Sequence, residues 1–170
     1  MVTIRDMTKS DVPAVSRIVS CGYAYLAKRE GYSPDQTRRL QAERSSAASI
    51  QSWSSHWRCF VAESDVGVVG VLAVDRNDVA ELWVDTSHFR KGIGTALFQK
   101  AEQIISGEDF PDLTVRCAGS SMRTFYEAMR CVVVGVKPCP NGPLAGWPLT
   151  LFRKELRAQP SGRGDAEDRA

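Results

Sequence analysis

The sequence has no long apolar run. Its longest, residues 66–74, is interrupted by Gly67 and Gly70 and reaches about half the length of a bilayer span. Arg5 and Asp6 follow the start too closely for the apolar core of a signal peptide, so the chain is expected to be soluble and cytoplasmic, with no membrane partner. An excess of charge of one sign is also missing. The 22 basic and 20 acidic side chains leave a net charge of +2, with no basic stripe of the kind that binds nucleic acid, so nucleic acid is not expected as a partner. The two histidines, His56 and His88, stand at no zinc-ligand spacing from the five cysteines, which form no C-x-x-C pair. No metal is expected, and the cysteines read as reduced, mostly core-filling thiols.

What is there suffices for one core. The 170 residues, 43% of them apolar, are too few for two independent domains. One domain is expected over residues 1–157. The tail, 158–170, mixes proline, glycine and balanced charge and is expected to be disordered.

Along the chain, Val2, Ile4 and Met7 open a strand, and Asp11-Val12-Pro13 starts a helix. Val12, Val15, Ile18, Val19, Tyr23 and Leu26 carry that helix to about Lys28 on one apolar face. A second, more polar helical stretch is expected over residues 35–56. Strands come next at 58–62, 67–74 and 79–85, separated by turns at Ser64-Asp65 and Asn77-Asp78. The period then changes: Ile93, Leu97, Ala101, Ile104 and Ile105 line one side of a helix that Gly107 closes. Residues 113–117 read as a strand, Met122, Phe125 and Met129 share a helical face, and 131–136 is β-branched. A loop rich in proline and glycine over 138–148 precedes a last strand at 149–152.

The informative stretch is Arg90-Lys91-Gly92-Ile93-Gly94-Thr95, because it joins a strand to a strongly amphipathic helix. Glycine at 92 and 94 lets backbone N–H groups approach an anion at the helix N-terminus, where the helix dipole assists, and a pyrophosphate is the natural ligand. A dinucleotide fingerprint is excluded because Leu97 stands where a third small residue is needed, and a P-loop because the lysine precedes the glycine.

The segment Val79-Ala80-Glu81-Leu82-Trp83-Val84-Asp85, the residues from Arg90 to Leu97, and Phe125-Tyr126-Glu127 together resemble the GNAT N-acetyltransferase superfamily, with its motif Q/R-x-x-G-x-G/A. The resemblance extends from Ile4 to about Leu156. It implies an α/β (α+β) fold, a mixed, mostly antiparallel central sheet of about seven strands flanked by about four helices. It further implies that acetyl-CoA is the cosubstrate, its pantetheine lying along the backbone of Leu82, Trp83 and Val84 in a splay between two central strands. Its pyrophosphate is then held by Arg90, Lys91, Gly92, Ile93, Gly94 and Thr95. Three positions depart from the family. Phe89 stands where Gln or Arg is usual, Gly119 where an Asn often meets the cofactor, and Arg130-Cys131 where Gly-Phe is common.

An acceptor ammonium with a pKa near ~10.4 must lose a proton before it can attack a thioester. Glu81 is the candidate base, since Ala80-Glu81-Leu82 resembles the segment that carries the base in some family members. Strand alternation expects Glu81 to share a side with Val79, Trp83 and Asp85, where partial burial raises its pKa. An ordinary solvated strand carboxylate is the competing interpretation. Tyr126 is, by the same resemblance, the donor that protonates the departing thiolate, against a plain core role beside Phe125. A backbone N–H from Trp83 or Val84 is implied as the donor to the developing oxyanion. The function expected is transfer of an acetyl group to a small-molecule or protein amine, with a homodimer plausible. The alternative is a noncatalytic acyl-CoA binding or sensing domain.

Overall fold

The computed structural model describes residues 1–156; the tail expected at 158–170 lies outside the described residues. Strand β1 (Thr3–Asp6) leads into α1 (Val12–Glu30), α2 (Pro34–Arg44) and α3 (Ala47–Trp53). The meander β2 (Arg58–Ser64), β3 (Gly67–Asp75) and β4 (Asp78–Val84) is next, then α4 (Ile93–Gly107), β5 (Asp112–Ala118), α5 (Arg123–Ala128), β6 (Val132–Pro138) and β7 (Pro148–Glu155). All seven strands form one sheet in the order β1-β2-β3-β4-β5-β7-β6. Neighbours are antiparallel except for β4 and β5. This is the expected mixed, mostly antiparallel α/β architecture, with five α-helices among the described residues where about four were expected.

The extra helix comes from a break that periodicity did not register. The stretch expected to be one helix over 35–56 is interrupted at Ser45 and Ser46. Ser46 accepts a hydrogen bond from Ser49 N–H and starts α3, while Ser33 and Gln36 form a capping box at the start of α2. A serine side chain satisfies an orphan N–H only by leaving the helical run, so each serine marks a new start.

Two apolar layers hold the sheet. On one face Leu72 and Val74 of β3 pack with Ile93, Leu97, Phe98 and Ala101 of α4 and with Tyr126 of α5. On the other, Val71 and Ala73 pack with Val15, Val19 and Tyr23 of α1, Leu40 of α2, and Ile50 and Trp53 of α3. Cys59 and Cys131 are buried, Cys117 and Cys139 half-buried and Cys21 exposed, all as free thiols. No helix among the described residues is long and apolar enough to cross a membrane.

Candidate active site

The site begins with a parallel pair that fails to continue. β4 and β5 pair at Asp78 with Thr114 and at Val79 with Val115, and no further register is formed among the described residues. Yet β4 stays paired to β3 as far as Val84, and β5 to β7 as far as Ala118. The two strands therefore diverge, and β4 keeps an open backbone edge along Leu82, Trp83 and Val84. Unpaired main-chain donors and acceptors at such an edge require partners. The divergence starts at a bulge: Val74 pairs with Val79 but Ala73 with Glu81, leaving Ala80 as the inserted residue. A bulge bends its strand and changes where side chains point.

That bulge corrects the expected alternation. Val79 packs in the layer with α4, whereas Glu81, opposite Ala73, lies with Trp83 on the α1 side. Leu82 and Val84 pack on the α4 side. Trp83 donates its indole Nε1–H to Glu81 Oε2 at 2.6 Å. Burial pushes the Glu81 carboxyl above its ordinary range, against the opposing pull of the Trp83 hydrogen bond and the Arg44 guanidinium.

The glycine loop closes the end of the splay. Gly92 caps α4 in a left-handed conformation (φ 77°) with no side-chain hydrogen bond to the first turn. The first amide of that turn with a protein partner is Ala96 N–H, on Gly92 C=O at 3.0 Å. The amides of Ile93, Gly94 and Thr95 have none among the described residues. Arg90 and Lys91 are exposed beside them, while Ile93 is buried and anchors the turn. A Cβ on Gly94 would stand 3.3 Å from the Phe125 ring and 3.7 Å from Val84 Cγ2, so the loop lies directly against the end of β4 and the start of α5. These features fit a diphosphate: free amides at a positive helix end, small residues and two cations.

Tyr126 completes the floor. Its ring packs against Phe125 and Phe152, both at 5.1 Å between centroids, and against Phe98 at 6.0 Å, and the residue is 5% exposed. Its hydroxyl lies within electrostatic reach of the Cys117 thiol on β5 and of Glu81 on β4. Burial, followed by Cys117, pushes the phenol well above its ordinary value, so it keeps its proton at physiological pH. Burial likewise pushes the Cys117 thiol up to about 12, which leaves it a neutral neighbour and no nucleophile.

The three departures acquire physical reasons. Phe89 stacks edge-on against Tyr25 of α1 at 5.0 Å, replacing a polar side chain with an aromatic contact. Gly119 has φ 93°, and a Cβ there would fall 2.3 Å from the Glu30 carboxyl carbon. Glu30, at the end of α1, accepts from Ser120 N–H at 3.0 Å and Ser121 N–H at 2.6 Å, and also from the Ser121 hydroxyl. It thus fills the space that a side chain at 119 would need. Arg130 adopts a left-handed φ of 64° just beyond α5, the conformation a glycine takes without strain.

Sequence reasoning placed Glu81, Tyr126, β4 and the loop, and the fold brings them around one wedge. It missed Ala80 as a bulge, Cys117, Glu30 and Arg44. Glycine inside α1, at Gly22, was an available signal of close helix–strand approach; nothing in the sequence marked Ala80, Cys117, Glu30 or Arg44. Two open clefts elsewhere, about 370 Å³ beside His56, Arg58 and Glu108 and about 540 Å³ between α1 and α2, include no residue of the splay or loop.

Comparison with known proteins bears on the fold. Residues 55–129 match the family described as acetyltransferase (GNAT) domain. Among solved structures, the chain resembles a GCN5-related N-acetyltransferase from Rhodopseudomonas palustris, at 17% identity and a TM-score of 0.81, over 91% of this chain and 95% of that one. It also resembles the PaiA N-acetyltransferase of Thermoplasma acidophilum in complex with coenzyme A, at 16% identity and a TM-score of 0.69, over 91% and 99% of the two chains. A third is the ribosomal-protein-S18-alanine N-acetyltransferase of Escherichia coli, at 15% identity and a TM-score of 0.66, over 95% and 98%. At such identities the structural likeness is one of fold.

Proposed function

We propose, from the match of residues 55–129 to the acetyltransferase (GNAT) domain family and from the shared fold, that the chain is a GNAT N-acetyltransferase that moves an acetyl group from acetyl-CoA to a primary amine by direct attack on the thioester. The observation that carries this reading is the β4–β5 splay ending at the bare amides of Ile93, Gly94 and Thr95. It combines an open strand edge with an anion cradle. Leu82, Trp83 and Val84 would hold the pantetheine along their backbone, and Arg90 to Thr95 would hold the diphosphate. The cosubstrate supplies an activated acyl group; the chain supplies position and proton management.

Glu81 takes the proton that an ammonium must lose. Its burial raises its proton affinity toward that of the acceptor, which makes it a stronger base than a solvated carboxylate. Tyr126, held protonated beneath the splay, gives a proton to the leaving thiolate. A thiol of ordinary pKa about 8.5 leaves readily, so this donation contributes near the lower end of the acid–base range. Backbone N–H groups of Trp83 and Val84 polarise the reacting carbonyl. The site is cytoplasmic in this reading and uses no metal.

The test is a thiol-release assay with acetyl-CoA and a panel of small amines and lysine-containing peptides, paired with titration of coenzyme A. An acyl-CoA sensor would bind without releasing thiol above background. Gly92→Glu is expected to weaken coenzyme A binding at least about tenfold, because a carboxylate is added where a diphosphate sits and the left-handed backbone is strained. An unchanged isotherm removes the cradle from the mechanism.

A second copy of the chain is the proposed partner of the β6 edge. Among the described residues, Val132, Val134 and Val136 there are 60%, 57% and 61% exposed. Uncovered apolar edge strands favour pairing.

A further inference from the structure

We infer that the Trp83 indole is a positioning group for the Glu81 carboxylate, clamping one oxygen so that the other faces the site. The inference rests on the proposal that Glu81 is the base. Three observations on β4 carry it. Glu81 and Trp83 share one side of β4 by alternation, and the bulge at Ala80 sets that side opposite Val79 and toward α1. The indole Nε1–H, a donor without acceptor capacity, meets Oε2 at 2.6 Å, and Oε1 takes no hydrogen bond from the described residues.

The indole itself is held from outside. A Cβ at Gly22 of α1 would stand 2.3 Å from Trp83 Cε3, so the ring occupies space that any other residue at 22 would claim. The Tyr23 ring tilts against it at 4.7 Å. A glycine in the middle of a helix is less favourable than alanine, and here it leaves room for this ring. α1 thus fixes Trp83, and Trp83 fixes Glu81. The indole is no space-filler: a phenyl ring would fill much of the same slot and donate nothing.

The titratable groups within electrostatic reach of Glu81 come from five elements: Arg44 of α2, Tyr23 of α1, Cys59 of β2, Cys117 of β5 and Tyr126 of α5. Of these only Arg44 is cationic. Trp83 is therefore the direct hydrogen-bond donor that favours the ionised carboxylate in a setting where burial opposes it. Its removal raises the Glu81 pKa further.

Two readouts that need neither acceptor nor cosubstrate test this in the full chain. The Glu81 carboxyl carbon is titrated by NMR in the wild type and in Trp83→Phe, with Glu81→Gln assigning the signal. The midpoint is expected to rise by about one pH unit in the variant, the equivalent of losing one hydrogen bond to a charged group. In the wild type, one of the four indole N–H signals is expected to titrate with that midpoint and to stop doing so in Glu81→Gln. Should Trp83→Phe fail to fold, this indole signal decides the matter in two chains that retain Trp83. An unmoved midpoint in folded Trp83→Phe, or an indole signal indifferent to Glu81, overturns the inference. A moved midpoint with full turnover in Glu81→Gln keeps the clamp and removes the base instead.

Discussion

A half-buried glutamate and a buried tyrosine respond to low dielectric in the same direction, since both lose stability in their charged forms, yet the proposed chemistry uses them for opposite tasks. Glu81 acts when it has lost its proton, Tyr126 while it keeps one. Activity should therefore be absent at low pH and rise through the Glu81 midpoint, which lies above the ordinary carboxylate value of about 4.3. Glu81→Gln is expected to lower kcat/KM by roughly 10²–10⁴-fold and to remove that acid limb, as a pH series of initial rates will show. Stability carries the reverse sign. The folded pKa exceeds the unfolded one, so ionising Glu81 costs stability as pH rises between the two values, and Glu81→Gln should be no less stable than wild type at pH 8. Tyr126→Phe removes only the hydroxyl from an aromatic cluster. It should lower kcat on the order of 10²-fold while leaving the coenzyme A dissociation constant nearly unchanged. A loss of binding equal to the loss of rate would return Tyr126 to a packing role.

At the scale of elements, the short helix α5 shows how a local rule can be broken to suit a neighbour. Its end at Arg130 takes a left-handed φ without a glycine, and Arg130 N–H still reaches Glu127 C=O at 2.9 Å. The next residue, Cys131, is buried and donates its N–H to Tyr126 C=O at 2.9 Å, so Cys131 holds the turn in place. Arg130→Gly is expected to relieve the strain and stabilise the fold by about 0.5–1 kcal/mol, read as a rise in thermal midpoint. A fall in the midpoint would mean that the arginine side chain contributes more than its backbone costs. The other end of α5 depends on α1, because Glu30 holds Ser120 and Ser121. Helix α1 therefore supports both catalytic candidates, Glu81 through Trp83 and Tyr126 through the loop ahead of α5.

For the whole molecule, the exposed edge formed by β6 bears on the solution state. Replacing Val134 with lysine places a charge at a site already 57% exposed, so the fold should tolerate it. If a second copy covers this edge, sedimentation should show a dimer for the wild type and a monomer for Val134→Lys; a monomeric wild type at high concentration removes the partner.

Much of the architecture was legible along the chain. The strand-to-strand spacing, the apolar stripe of α4 and the glycine loop are local patterns, with the period of each element written directly into apolar positions. Glu81 and Tyr126 could be singled out, and so could the loop amides. Local sequence could not determine how far β4 and β5 stay together, because their pairing joins residues 36 positions apart and ends where the bulge at Ala80 bends one strand. The side on which Glu81 lies, its contact with Trp83, the occupation of the Gly119 space by Glu30 and the approach of Cys117 to Tyr126 all result from that packing. Each depends on distances between elements, which hydrophobic period does not encode. The sequence alone therefore determined the elements and the chemical types at the site; the tertiary structure decided which side chains meet there, because one inserted residue reverses a strand's faces and only three-dimensional packing positions the helices that hold them.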